Sequence, residues 1–205
     1  MLKQLGILLS GRGSNFEAIA DHIERGDLVA RIAVVVSNVS QAPGLEKARR
    51  RGLDAVYIDP RGISREEFDR RLISTLQQKQ VDLVCLAGFM RLLSPVFIGS
   101  FPQRILNIHP SLLPAFPGLI AQKQALEYGV KFTGCTVHIV DEKLDAGPII
   151  LQATVPVLDD DNEDSLSARI LVQEHQLYSK AIQLVLENRI KLNGRRVFLM
   201  SRDGK

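Results

Sequence analysis

Gly6-Ile7-Leu8-Leu9-Ser10-Gly11-Arg12-Gly13-Ser14-Asn15 runs from an apolar strand through a glycine turn straight into a helical pattern, and this junction decides the fold class. Further apolar runs at Ile32 to Val36, Ala55 to Ile58 and Val81 to Ala87 alternate with amphipathic stretches near Asn15 to Arg25, Pro43 to Arg51 and Ser64 to Gln80. Such alternation predicts an α/β domain, in which strand and helix units surround a mostly parallel sheet. Gly52 suits the C-terminal cap of the second helix. A fifth strand is expected at Ile105 to His109. The segment from Pro110 to about Gly134 then reads as loop around a short helix at Gln122 to Tyr128. Two late strands, Thr136 to Val140 and Pro148 to Val157, flank the turn Asp141 to Gly147 and predict a hairpin or near-hairpin. A long helix is expected after the acidic group Asp159 to Asp164, running to about Arg189. Ile190 to Leu192, the turn Asn193-Gly194 and Arg196 to Met200 read as a small hairpin.

The chain has 205 residues, a size that buries one substantial core, so a single domain is expected. Net charge is +3. The basic clusters, Lys47 with Arg49 to Arg51 and Arg195-Arg196, lack the interleaved aromatics of a single-strand nucleic-acid platform, so no nucleic-acid partner is expected. No run approaches the ~20 apolar residues of a membrane span, so no membrane partner is expected either. From Met1 the chain enters a strand pattern without the regions of a signal peptide. Cys85 and Cys135 are the only cysteines, which argues against a disulfide framework and for a reducing, cytoplasmic location.

Within Ile105-Leu106-Asn107-Ile108-His109-Pro110-Ser111-Leu112-Leu113-Pro114, two polar residues interrupt an apolar strand. Alternation puts Asn107 and His109 on one face, and Pro110 ends the strand right after them. An amide donor and a titratable imidazole therefore share a strand's carboxyl end, where open α/β sheets bind ligands. Upstream, the Gly11-Arg12-Gly13-Ser14-Asn15 turn brings backbone amides to a helix start, suited to an anion. It lacks the third glycine of the dinucleotide fingerprint and the Gly-Lys-Ser/Thr of a P-loop, so a monophosphate fits better than NAD or ATP. A tight turn with Ser14 as N-cap is the alternative. Asp145 lies in the turn between the late strands; beside His109 it would favour the protonated imidazole, although turn aspartates more often cap local amides. On the long helix, Leu166, Ile170, Leu177, Ala181 and Leu184 form an apolar stripe, with Glu174 at its border and His175 well off it. The border carboxylate needs a partner, either an internal arginine or a ligand hydroxyl or amine. Leu86-Ala87-Gly88-Phe89-Met90-Arg91-Leu92-Leu93 leaves the sheet edge and suits either a flat heterocycle or simple core packing. His138, alternating on a strand, reads as a supporting or core residue. No metal-ligand spacing is present.

Taken together, Ser10 to Asn15, Ala87 to Leu93, Asn107 to Pro114, Phe116-Pro117-Gly118, Gly134-Cys135-Thr136-Val137-His138 and Asp145-Ala146-Gly147-Pro148 resemble the phosphoribosylglycinamide formyltransferase family, over nearly the whole chain. The resemblance implies a single-domain, Rossmann-like formyltransferase fold over residues 1–205, with residues 1–100 as a phosphate-binding half and 101–205 as a catalytic and folate-binding half. It implies formyl transfer from 10-formyltetrahydrofolate, as co-substrate, to the amine of 5'-phosphoribosylglycinamide in purine synthesis, with small-molecule substrates and no metal. By the same resemblance Asn107, His109 and Asp145 are the catalytic trio; His138 is placed beside them as a supporting residue on its strand reading alone. Gly11, Arg12, Gly13, Ser14 and Asn15 hold the phosphate, and Glu174 the ribose or glycinamide end. Arg65, Met90, Arg91, Leu92, Leu93, Asn107, Val140 and Asp141 contact the folate. Oligomeric state is left open, with room for a homodimer. Ile120 departs from the family, where histidine is common.

Two relatives of this family and one unrelated class compete. Methionyl-tRNA formyltransferase shares the Asn-x-His and Ser-Leu-Leu-Pro features but needs a further C-terminal domain, and formyltetrahydrofolate hydrolase an N-terminal regulatory one. A non-catalytic nucleotide-binding module would use the glycine turn yet leave Asn107, His109 and Asp145 unexplained.

Overall fold

The computed structural model describes residues 2–201; Met1, where the N-terminal reading begins, and residues 202–205 lie outside the described residues. In chain order the elements are β1 (Gln4–Leu9), α1 (Ser14–Glu24), β2 (Arg31–Ser37), α2 (Pro43–Arg50), β3 (Ala55–Tyr57), α3 (Arg65–Gln78), β4 (Leu83–Leu86), α4 (Pro95–Ser100), β5 (Ile105–His109), α5 (Ala121–Tyr128), β6 (Phe132–Ile139), β7 (Ile149–Pro156), α6 (Glu163–Leu186), β8 (Ile190–Asn193) and β9 (Arg196–Leu199). The seven-stranded sheet runs β3-β2-β1-β4-β5-β6-β7, and β8 and β9 form a separate hairpin. The expected α/β class, with a mostly parallel sheet and late antiparallel strands, is what the chain adopts.

Two compact units make up the chain, one ending at Asn107 and one beginning at Ile108, so that β5 is shared. In the first unit, β1 pairs in parallel with β2 and β4, β2 with β3, and β4 with β5. Leu5, Ile7, Leu8, Leu9, Val34, Val35 and Val84 have no measurable exposure, because strands covered on both faces must be apolar throughout. The register aligns Val36, Leu8, Leu86 and Asn107 across four neighbouring strands. Asn107 therefore stands level with the carboxyl ends of β1 and β4. Gly52 ends α2 as expected: its φ is +67°, and its amide donates to the Arg49 carbonyl at 2.9 Å.

One helix escaped sequence reading. α4 begins at Pro95, after Ser94, whose hydroxyl accepts the Phe97 amide, while the buried Asp69 carboxylate accepts the Ser94 amide at 2.6 Å. Ser before Pro at a first helical position is the local signal, and Asp69 supplies the buried anchor.

In the second unit, β6 pairs antiparallel with β7 from Phe132↔Pro156 to His138↔Ile149. β6 starts four residues earlier than expected. Loop is expected to about Gly134, yet a Cβ there would lie 1.9 Å from the Ala153 carbonyl oxygen, so its missing side chain is what lets β7 approach. α6 packs on both strands. Its buried stripe runs Leu166, Ile170, Glu174, Tyr178, Ile182, so Glu174 sits inside the stripe and not at its border, while Leu177 is only half-buried. Steps of four residues advance by only about 40°, which keeps all five on one face.

Candidate active site

His109 ends β5 and is 5% exposed. Its Nε2 lies 2.9 Å from the Phe116 carbonyl oxygen, an acceptor only, so Nε2 carries the hydrogen of that bond. Its Nδ1 faces Asp145 Oδ2 at 3.4 Å, and His138 Nε2 approaches Asp145 Oδ1 at 3.7 Å. His138 Nδ1 lies 3.1 Å from the Ile139 carbonyl oxygen and is in turn the protonated nitrogen of that contact. The carboxylate thus lies between two imidazoles whose far nitrogens already donate to backbone carbonyls. Either ring can donate to Asp145 only by carrying a second proton, so two rings able to carry charge face one buried carboxylate.

Local backbone chemistry brings Asp145 there. Its φ is +48°, a left-handed conformation that aspartate tolerates. Two residues on, Gly147 meets the Ile139 carbonyl oxygen so closely that a Cβ would sit 1.7 Å from it, so the turn between β6 and β7 closes only with glycine. Asp145 Oδ2 accepts the Gly118 amide at 2.8 Å, a long-range partner where a local cap was the ordinary expectation. Burial works against ionising Asp145, but the His138 contact, the Gly118 amide and the charge of His109 outweigh it and hold the carboxyl below its ordinary value.

The segment that follows His109 is fastened by residues the sequence reading passed over. Thr136 Oγ1 donates to the Ser111 carbonyl at 2.6 Å and accepts the Leu113 amide at 3.0 Å. Gln152 Nε2 donates both to Thr136 Oγ1 at 2.9 Å and to the Leu113 carbonyl at 3.0 Å. Ser111 Oγ donates to the Ala115 carbonyl at 2.5 Å. Every hydrogen-bonding capacity of the Thr136 hydroxyl is used, and the loop carrying Phe116 and Gly118 to His109 and Asp145 is pinned at its root. The available signal was the position of Thr136, two residues before His138 and facing the same way along β6.

Asn107 is half-buried and shares the strand face of His109 by alternation. Second-unit residues Val140 and Asp141 are half-buried, and Asp141 Oδ1 accepts the Lys143 amide at 3.0 Å in a local turn. Glu174 is buried in α6. Burial pushes the Cys135 thiol up to about 12, and the Glu174 carboxylate adds to the shift, so these two residues lie in each other's field.

In the first unit, Gly13 has φ +72° and caps α1, so the chain turns on Gly13 and Ser14 is the first helical residue. The alternative of Ser14 as N-cap therefore fails: no side chain caps this helix, and the left-handed turn needed there is available to glycine. A Cβ on Gly13 would also meet Gly44 Cα at 2.9 Å. Gly11, Gly13, Ser14 and Asn15 lie in this turn and at the helix start, and Arg12 is exposed between the glycines. Arg65 is the exposed first residue of α3, and Arg91 lies with its guanidinium 4.6 Å from the Phe68 ring centroid. Leu93 is half-buried, whereas Met90 and Leu92 are 66% and 59% exposed, so core packing does not account for them. Among the described residues no cluster of three or more His, Cys, Asp or Glu side chains is arranged for a metal, and no helix is long and apolar enough to cross a membrane.

Residues 3–182 match the family profile described as formyl transferase. The chain is 45% identical over 188 residues to a phosphoribosylglycinamide formyltransferase of Escherichia coli (strain K12), covering 91% of this chain and 89% of that one. It is 46% identical over 187 residues to a trifunctional purine biosynthetic protein adenosine-3 of Drosophila melanogaster, covering 90% of this chain but only 14% of that protein. A crystal structure of glycinamide ribonucleotide transformylase 1 from Symbiobacterium toebii superimposes with a TM-score of 0.96 at 53% identity, over 98% of this chain and 95% of that one.

Proposed function

The chain belongs to the formyl transferase family, and within it to the phosphoribosylglycinamide formyltransferases, and on that premise we propose that it moves the formyl group of 10-formyltetrahydrofolate to the glycinamide amine of 5'-phosphoribosylglycinamide. The observation that carries the reading is the buried His109 and Asp145 pair at the end of β5. When bound, the folate supplies a formyl carbon on its N10, which the amine attacks; the new C–N bond forms, the bond to N10 breaks, and one amine proton ends on N10.

Negative charge develops on the formyl oxygen. Asn107 offers an amide donor and His109 its Nε2–H, the hydrogen that the Phe116 carbonyl accepts in the free protein. Such a donor is worth about 3 to 4 kcal/mol to the transition state. Asp145 neutralises the charge that protonated His109 carries and organises proton transfer from amine to N10, and His138 steadies the carboxylate from its other side.

Gly11, Arg12, Gly13, Ser14 and Asn15 are assigned to the phosphate, which suits the backbone amides of a helix start, and Glu174 to the ribose or glycinamide end. On this assignment the phosphate-binding turn lies within residues 1–100 and the catalytic trio within residues 101–205. Two apolar side chains held in solvent after β4, Met90 and Leu92, fit a flat heterocycle. With Arg65, Arg91, Leu93, Asn107, Val140 and Asp141 they would hold the folate. Cys85 and Cys135, both buried and neither in a disulfide, favour a reducing cytoplasm as the place of action.

A formyl-transfer assay with glycinamide ribonucleotide, charged initiator tRNA and water as competing acceptors tests the reading. Transfer to the ribonucleotide alone is expected; preferential transfer to tRNA or release of formate would overturn it.

A further inference from the structure

Ser10 follows β1 and immediately precedes the Gly11–Asn15 turn, and its side chain is spoken for on both sides. Its hydroxyl donates to Asn38 Oδ1 at 2.6 Å and accepts the Met90 amide at 2.8 Å, while its own amide donates to the Gly88 carbonyl at 2.9 Å. β2, β1 and β4 are adjacent in the sheet, so one hydroxyl joins the segments leaving three neighbouring strands at their carboxyl ends. No other contact described in this region fixes the backbone of Met90, whose side chain stands in solvent.

We infer that Ser10 is a positioning residue coupling the two substrate subsites, so that filling the Gly11–Asn15 turn favours ligand at Met90–Leu93, and the reverse. This rests on the assignment of the turn to the ribonucleotide phosphate and of the Met90 segment to the folate. Phosphate on the turn's amides immobilises Gly11 and, through the peptide bond, Ser10. The hydroxyl then holds the Met90 amide in one orientation before the heterocycle arrives, so the second ligand meets a segment already ordered. Linkage requires the same factor in both directions.

Calorimetric titration of the full chain with a folate analogue that carries no formyl group, 5,8-dideazafolate, with and without saturating 5'-phosphoribosylglycinamide, reads the coupling. In the unaltered protein the analogue should bind about fivefold or more tighter when the ribonucleotide is present. Ser10→Ala should bind each ligand alone within about threefold of the unaltered protein but bring the coupling factor close to one, and Ser10→Thr, which keeps the hydroxyl, should restore it. Asn38→Ala removes only the acceptor that orients the hydroxyl and should weaken the coupling, which decides the matter if Ser10→Ala does not fold. Unchanged coupling in these variants, or none in an unaltered protein that binds both ligands and transfers formyl, overturns the role of Ser10 and leaves the enzyme reading standing. An unaltered protein that binds neither ligand overturns the enzyme reading, and the coupling with it.

Discussion

The Nε2 of His109 lies 2.9 Å from the carbonyl oxygen of Phe116, so the imidazole hydrogen proposed to serve the formyl oxygen is satisfied within the protein before substrate arrives. Exchanging one carbonyl oxygen for another costs little, because the donor is never left bare in a buried site. Removing the donor costs a great deal. His109→Ala should lower kcat by roughly 100-fold to 10,000-fold, the range for a lost acid or oxyanion donor, with an unchanged far-ultraviolet circular dichroism spectrum. A variant within tenfold of the unaltered rate would remove His109 from the chemistry.

Asp145 makes a pH prediction whose sign follows from its depressed folded-state value. Ionisation of this carboxyl is favoured in the folded state relative to an unfolded value near 3.9, so its contribution is complete near neutral pH and is lost as pH falls through the folded value. Asp145→Asn keeps an oxygen for the Gly118 amide but has no charge to lose. The stability gap between the two proteins should therefore be widest near neutral pH and close below about pH 4, as read by urea denaturation across the range. A gap that widens on acidification would contradict the assignment.

Gln152 bridges Thr136 and the Leu113 carbonyl from β7. Gln152→Leu leaves that carbonyl with one partner fewer and should cost about 1 to 3 kcal/mol of stability. Because the same bonds pin the loop that carries Phe116 and Gly118, kcat should fall while the KM for the ribonucleotide stays near its original value. Gln152→Glu, which keeps the shape but exchanges the donor for an acceptor, should fare no better.

Ile120 caps α5 at φ +58°, although a β-branched side chain is poorly suited to the left-handed region, and its side chain is 58% exposed. Relief of that strain is worth about 1 to 3 kcal/mol, against about 0.5 to 1 kcal/mol lost to the freer unfolded chain of glycine. Ile120→Gly should therefore raise stability by about 1 kcal/mol, seen as a higher Tm, despite deleting an apolar side chain.

The strand and helix alternation was legible because buried parallel strands must be apolar throughout while their covering helices need only one apolar face. Gly134 and α4 were not. A glycine expected near the end of a loop is, at Gly134, an accommodation of the neighbouring Ala153 carbonyl, and the start of α4 depends on Asp69, twenty-five residues upstream of Ser94. Glu174 was seen as an anomaly on its helix, but the Cys135 thiol in its field belongs to a different element.

Chain order by itself determined the α/β class, the shared face of Asn107 and His109, and the glycine turn before α1, since each follows from side-chain periodicity or from the conformations open to individual residues. Only the tertiary structure decided that Asp145 reaches His109 across thirty-six positions, that Phe116 and Gly118 answer them, and that Ser10 holds the Met90 amide. Those are meetings between distant segments, fixed by strand order and by where a glycine such as Gly147 lets the backbone close, and no local pattern encodes a distance in space.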